Sequence, residues 1–498
     1  MHRSLTAEPA AAAELAVVRP DLLGRFTAAL PGARAAVLTR LWRGLAYDPL
    51  PWVERREQDP DGLTLRLRDG RPLRGPVPDP YATDAYVTVV RLDEREYGDP
   101  ALLMDALAVP DGAGLATELD HSAVSLALSR ANRAQYGPGW PVHGWEWERR
   151  VVDGHPYHPN CRSRPGFSVA DQLAYAPEHG QVVRLGLVPA AAERCLVSGE
   201  WPTELRDGGR LLIPVHPWQA GHVLKQTPGQ GPEARPLMSL RTLEIPGGPH
   251  VKTALSARLT SSVRDISVGS VVASAALSEF GESLAARSDG LLHVTRTLGA
   301  ATAGSPELAA MLRESPSVYA AGDERVVPVA ALPATGLPDD PQWSARFARL
   351  ALTVGLRLLR LGVALEAHGQ NLLVVLSAAG APLRLVYRDL ADIRVSPERL
   401  ARHGVPLPGG MPGRILTDEV PDLRRKLFGS LVAGALAGTT GSGRALGAAL
   451  GEAVRDLPRT PDLDALTGGP LPAKALTLMR LSPGTPGDQW TNLPNPLG

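Results

Sequence analysis

Cysteine and lysine are both scarce in this chain. Its 498 residues hold only Cys161 and Cys195, too few to staple so long a polypeptide, so a disulfide-dependent secreted protein is not expected. Only four lysines occur among 52 basic residues (Lys225, Lys252, Lys426 and Lys474), which makes a lysine inside any motif worth following. Those 52 basic side chains meet 52 acidic ones, so no bulk charge draws the chain to nucleic acid or to an anionic membrane. Uncharged apolar runs of the length a membrane helix needs are missing: the best stretches, 348–366 and 429–440, are cut by arginines or end in Gly and Thr. The opening residues carry no continuous apolar signal segment, and the expectation is a soluble cytoplasmic protein. What is present fits a folded chain of two to four domains: 44% apolar and 21% charged residues, with Gly and Pro below low-complexity levels.

Residues 10–48 repeat apolar positions at intervals of three and four, which predicts helices broken by Pro20 and Pro31. Leu63, Leu65 and Leu67 alternate before Asp69-Gly70, predicting a β-hairpin, with YVTVVRL as a further strand. Residues 118–135 read as helix again. Near residue 150 the character changes. The segment 153–167 (DGHPYHPNCRSRPGF) is too rich in Pro, Gly and polar residues for a regular element and is expected to be a loop. LLIPVHPWQ, residues 211–219, reads as a short strand running into a turn. HVKTALSARLT alternates, which predicts one strand with Lys252, Arg258 and Thr260 on one face; Ser261 or Ser262 would then cap a helix to about residue 287. Residues 342–366 carry the strongest helical pattern, ending at His368-Gly369 before two strands, LLVVLS and LRLVYRD. The Pro-rich stretch 327–341 is the expected linker.

Polar residues concentrate in four places. His155, His158, Arg162 and Arg164 sit in a proline-stiffened loop that suits an anion, although an exposed structural loop would look similar. Zinc is disfavoured there despite Cys161, because the two arginines would repel it. Ser239, Arg241, Lys252, Thr260 and Arg264 form a second group, whose cations, hydroxyls and expected helix start suit a polyphosphate or polycarboxylate. Its alternative is a solvated strand face. Third, Glu366, His368, Gln370 and Asn371 lie between apolar elements, with Asp389 returning nearby after a hairpin. Glu366, Asn371 and Asp389 offer hard oxygen ligands for Mg²⁺ beside phosphates, while His368 and Gln370 could touch a substrate. The fourth, His216-Pro217-Trp218-Gln219, is read as a supporting turn. Gly438–Ala445 faintly echoes a phosphate loop but has Arg444 for lysine and Ala445 for Ser/Thr, and is read as a turn.

Taken in order, GHPYHPNCRSRPGF, IPVHPWQ, SLRT, KTALSARLTSSVRDIS, EAHGQN and the later RD resemble the NRPS-independent siderophore synthetases, the IucA/IucC-like family. The resemblance spans roughly residues 154–389. It implies an α+β multidomain, cupped-hand fold: a thumb over 1–150, mostly helical, fingers over 151–330 and a palm over 331–498. It also implies a ligase that adenylates a carboxylate of citrate or a related acid with ATP and Mg²⁺, then passes the acyl group to an amine or hydroxyl. A homodimer is the family expectation. Carried over by position, Lys252, Arg264 and His368 are the catalytic candidates. His155, His158, Arg162, Arg164, Ser239, Arg241, Lys252, Thr260 and Asn371 would bind ATP. Arg264, Thr260, His368 and Gln370 would hold the acid, and Glu366, Asn371 and Asp389 the metal. Arg162 stands where the family usually has Lys, which keeps charge but changes geometry.

Two other classes fit parts of the pattern. His368-Gly369 with Asn371 and Asp389 superficially resembles a small-molecule kinase, but Gln370 stands in the stretch where a catalytic aspartate would be needed, and no Gly-rich loop with a strand lysine precedes it. A binding protein with a decayed site would take up ligand without ATP turnover.

Overall fold

The computed structural model describes residues 7–133, 139–260 and 262–498. In the first third, helices Ala7–Val18, Leu23–Tyr47, Pro100–Leu107 and Gly112–Ala131 accompany a five-stranded antiparallel meander running in sequence order from Val53–Asp59 to Arg95–Tyr97. The Asp69-Gly70 hairpin is present, with Leu65 opposite Leu73 and both buried in one core with Trp42 and Leu41. Pro31 does not break the helix as expected. It lies exposed inside Leu23–Tyr47 while Leu30, Ala33, Val37 and Leu41 stay buried. Burial of that stripe outweighs the ~3 kcal/mol that an interior proline costs.

The middle of the chain builds a nine-stranded antiparallel sheet. Its order is Leu196–Gly199, Thr297–Ser305, Leu308–Arg313, His250–Thr253, Thr242–Glu244, Gly229–Pro236, Val183–Ala191, Arg210–Val215, Arg206–Asp207. The HVKTALSARLT run is not the single strand expected: His250–Thr253 belongs to this sheet, whereas Leu255–Leu259 leaves it to pair with Ser262–Arg264. Lys252 and Arg258 therefore sit in different sheets. Nor does a helix start here. Leu259 pairs with Ser262, and Thr260 adopts a left-handed φ of 58°, so the chain reverses. The first helix, Val268–Val272, is capped by Ser267, and Ser274–Ala285 follows. Ser261, one of the two expected caps, lies outside the described residues. Ser256 Oγ donates to Asp265 Oδ1 at 2.6 Å, and Arg241 donates to the carbonyls of Arg264 and Asp265, which holds this segment extended.

A four-stranded sheet carries the last third, ordered Leu292–Val294, Pro382–Tyr387, Leu372–Leu376, Arg325–Pro328, with only the first pair parallel. Helix Pro341–Leu361 packs on it through Phe347, Leu352 and Leu358, and stops at Gly362 (φ 103°), seven residues before the expected end at Gly369. The stretch 327–341 is no linker. Its 3₁₀ turns Val329–Thr335 and Leu337–Asp339 place Val327, Val329, Ala331 and Leu332 in the core, so its prolines shape packed turns. That core gathers buried residues from Tyr81 to Leu493. Gly438–Ala445 is a helix–turn–helix junction, with Gly441 left-handed and Ser442 capping the second helix. Among the described residues no helix is long and apolar enough to cross a membrane.

Candidate active site

The site lies where the central sheet faces the turn Glu366–Asn371. Thr242 pairs with Lys252, Glu244 with His250, and Arg313 lies opposite His250 from the next strand. Residues two apart on a strand share a face, so His250 and Lys252 point the same way. From the other side, the hairpin of Leu372–Leu376 and Pro382–Tyr387 delivers Asp389, whose left-handed φ of 75° is a conformation that Asp tolerates better than most residues.

Asp389 is the electrostatic centre. Lys252 Nζ donates to its Oδ2 at 2.6 Å, and Arg313 donates to its Oδ1 at 3.0 Å. Burial alone would raise this carboxyl, but Arg313 and Lys252 hold it well below the usual range. Burial, with Arg313 alongside, pushes the Lys252 ammonium down to about 7 against the pull of Asp389. Burial also lowers Arg241 to about 10, and its guanidinium donates to the Arg264 carbonyl at 2.6 Å and the Asp265 carbonyl at 3.0 Å. Arg264, lowered by burial as well, feels both Asp389 and Glu366. Four cations thus act on one carboxylate, and such an imbalance favours an incoming anion.

A second cluster adjoins the first through Arg264. Glu366 Oε1 accepts from Lys474 at 2.8 Å and Lys426 at 3.1 Å, and both lysines also reach Asp488, at 3.0 and 3.2 Å. Burial would raise Glu366, yet Lys474, His368 and Lys426 bring it down to about 2. Three of the chain's four lysines are therefore at the site. The His155, His158 and His368 rings are pinned by their own backbone; His158 is buried, His368 half-buried and His155 exposed. His155 Nδ1 accepts from the amides of Tyr157 and His158, His158 Nδ1 from Asn160, and His368 Nδ1 from Gln370. Burial holds His158 down to about 3, with Arg480, Arg264 and other cations adding to it. His158 Nε2 has no hydrogen-bond partner among the described residues.

Ser239, Gln370, Asn371 and Asp389 line one narrow cleft of about 30 Å³, together with His250, Thr295, Arg313 and Arg388. Thr260 stands at the ribbon tip, its amide donating to the Ser163 carbonyl at 3.3 Å. Arg162 and Arg164 engage the chain's own groups in this arrangement. Both are buried: Arg164 donates to Glu178 at 2.8 Å, and Arg162 to the carbonyls of Val151 and Val152. Glu178, fully buried, needs those cations, and they hold its carboxyl far below normal against burial. The expected metal triad does not form either. Glu366 and Asp389 are each taken up by two cations, and the Asn371 amide reaches only the Glu366 carbonyl, at 3.5 Å. Among the described residues no three His, Cys, Asp or Glu side chains converge to hold a metal ion. The residues present do not fit a protein-held Mg²⁺.

Several site residues escaped the sequence reading. Lys426 and Lys474 were signalled only by lysine scarcity. Arg388, paired with the buried Glu148 at 2.6 Å, adjoins Asp389. Arg313 ends an apolar strand and had no signal. The supporting turn fits its reading: Gln219 exchanges hydrogen bonds of 2.8 and 2.9 Å with Ser256 and so braces the ribbon that carries Arg264.

This architecture is shared by solved siderophore synthetases. The petrobactin biosynthesis protein AsbB from Bacillus anthracis superposes with a TM-score of 0.77 at 17% identity, covering 96% of this chain and 98% of that one. The ATP-bound aerobactin synthetase IucA from a hypervirulent Klebsiella pneumoniae gives 0.72 at 18% identity, covering 93% and 99%. The fold is the mixed helix-and-sheet multidomain fold of these synthetases. Within it, residues 143–334 match the IucA / IucC family. Residues 341–452 match the ferric iron reductase FhuF-like transporter family. A citryl-spermidine/3,4-dihydroxybenzoyl-citryl-spermidine:spermidine ligase of Bacillus anthracis is 25% identical over 314 residues, 50% of this chain and 51% of the relative. An N(2)-citryl-N(6)-acetyl-N(6)-hydroxylysine synthase of Vibrio mimicus is 30% identical over 159 residues, 24% and 26% of the two chains. The matches thus span about half the length of the curated relatives, or less.

Proposed function

We propose that this chain is an ATP-dependent synthetase that adenylates a carboxylate of citrate or a related polycarboxylic acid and condenses it with an amine or hydroxyl in siderophore biosynthesis. The observation that carries the reading is the convergence of Lys252, Arg241, Arg264 and Arg313 on Asp389, beside the buried His158 and Lys474. The citryl groups in the relatives' names and the ATP-bound state of one solved neighbour support it.

A carboxylate resists attack because its leaving group would be oxide. In the first step its oxygen attacks the α-phosphorus of ATP and pyrophosphate departs, leaving an acyl-adenylate. Two anions must approach for this, and Lys252, Arg241 and Arg313 offset their repulsion and the charge growing on pyrophosphate. The acid lies toward Arg264, His368, His158 and Lys474, where fixed cations and a free imidazole nitrogen can meet its remaining carboxylates. In the second step the amine or hydroxyl attacks the acyl carbon, AMP leaves, and His368 is placed to take the proton. No protein nucleophile is required.

The test is a matrix of acids against amines and alcohols with ATP, scored by pyrophosphate release and product mass. Pyrophosphate with an amide or ester product is expected; ADP in its place would establish a phosphotransferase. Arg264→Gln and Lys252→Ala are expected to lose at least about a hundredfold in turnover, the scale of removing a transition-state electrostatic contact. Unchanged turnover in both would remove the assignment.

A further inference from the structure

The charges around Glu366 close into a ring whose fourth member the proposed reaction leaves without a role. Asp488 bridges the two lysines, its Oδ1 meeting Lys474 Nζ at 3.0 Å and its Oδ2 accepting from Lys426 Nζ at 3.2 Å. Glu366 bridges the same pair through Oε1. Two ammoniums thus face two carboxylates, and the ring is neutral. The two carboxylates are held differently. Glu366 sits in the turn behind Val363–Ala364, its side chain 12% exposed. Asp488 ends a loop between Leu476–Arg480 and Trp490–Leu493 in which residues 483–487 are all exposed. Gly487, directly before it, has a left-handed φ of 84° and open space where a Cβ would stand. A segment with so little packing belongs to the readily opened part of a fold.

We infer that Asp488 occupies the place of a substrate carboxylate on the Lys426–Lys474 pair, and that a polycarboxylic acid displaces it on binding. The inference rests on the proposed synthetase reading and adds the contact that selects the acid. One oxygen on each of two ammoniums is the way a carboxylate spans such a pair. The pair also borders the region given to the acid, because the Lys474 and Arg264 charges both act on His158, and the Lys474 side chain is 30% exposed. While Asp488 stays, a further carboxylate meets a neutral ring and gains little. Once it leaves for water, the incoming carboxylate restores two ammoniums against two carboxylates, so the exchange conserves charge. Selectivity follows from the tether. A carboxylate on a short loop has a high effective concentration at the lysines, so weakly bound small anions do not dislodge it. An acid whose single carboxylate lies at the α-phosphorus has none left to offer the lysines. Asp488 is therefore a specificity-determining residue that yields to an acid with a second carboxylate.

The first measurement uses the unaltered full chain: hydrogen exchange of residues 482–489 with and without citrate, in the presence of α,β-methylene-ATP so that no acyl transfer follows. Faster exchange on adding citrate is expected; unchanged or slower exchange would overturn the displacement. In the second, under the same conditions, Asp488→Asn is expected to bind citrate about fivefold more tightly, the effect of removing an internal competitor that holds the pair closed about four-fifths of the time. Binding of 3-hydroxybutyrate, which has one carboxylate, should not change. Weaker or unaltered citrate binding by the variant would make Asp488 a support for the lysines, and equal tightening of both acids would be an effect of net charge; either result refutes the inference. Failure of citrate to bind the unaltered protein would refute it too, and the synthetase reading is decided separately, by pyrophosphate release across the matrix of acids.

Discussion

Lys252 illustrates how much one residue can depend on its surroundings. Burial and Arg313 bring its ammonium to about 7, so near pH 8 much of it is neutral in the ligand-free cleft. A polyphosphate placed beside it would favour the charged form and raise that value. ATP binding at pH 8 is therefore expected to take up a fraction of a proton, read as a dependence of the binding enthalpy on the ionisation enthalpy of the buffer. Lys252→Met should abolish the uptake, and proton release by the unaltered protein would contradict the assignment. The sequence singled out Lys252 by type and motif, and Asp389 by its place after a hairpin. That the two form one ion pair could not be read, because 137 residues separate them and only the tertiary fold closes the gap. Arg162 and Arg164 show the converse. Their motif suits an anion, but the anion they meet is the chain's own Glu178, which no local pattern connects to them.

Among elements, those governed by local chemistry were legible: the Asp69-Gly70 hairpin, the turn after His216 and the periodic helix ahead of the Glu366 turn. The split of HVKTALSARLT between two sheets was not, since a period of two looks the same in either sheet and nothing at Ala254 marks the departure. The end of helix Pro341–Leu361 was missed because apolar residues continue through Val363, Ala364 and Leu365, while Gly362 supplies the left-handed stop. A Cβ on Gly362 would meet the Arg399 Cβ at 2.7 Å and the Ser396 carbonyl at 3.0 Å, at a φ of 103°. Gly362→Ala is expected to cost about 1–3 kcal/mol, measured as a lowered urea midpoint. Turnover per folded molecule should fall as well, because Gly362 directs the chain toward Glu366. A midpoint equal to the parent's would show that the backbone relaxes there at no cost.

For the whole molecule, the buried charges set a sign for stability against pH. Glu178, Glu366 and Asp389 are held below their ordinary values, so they stabilise the fold above about 4.5, and that stability is lost as pH falls through their folded values. His158 and His216, held down to about 3 by burial, stay neutral when folded but would charge below about 6.5 once unfolded. Both groups act in one direction. Stability is expected to decline as pH drops below about 6.5 and more steeply below about 4.5, followed as urea midpoints from pH 8 to 3. Glu178→Gln should lower the midpoint at pH 7, by roughly 3–5 kcal/mol for a broken buried pair, and flatten the acid limb. Unaltered midpoints would show that Arg162 and Arg164 are satisfied without it. At this scale the mixed α+β character was legible, because periodicities of two and of three to four alternate along the chain. The sheet that brings Leu292–Val294 and Arg325–Pro328 beside later strands was not, since pairing between distant segments leaves no mark in either one.

The distribution of lysine has one more consequence. Lys252 and Lys426 are buried and Lys474 is largely covered, which leaves Lys225 as the exposed lysine side chain. The remaining positive charge is guanidinium, which keeps its proton at neutral pH and reacts poorly with electrophiles. In the proposed reaction, a mixed anhydride escaping from the cleft would meet few lysine amines on the surface to acylate.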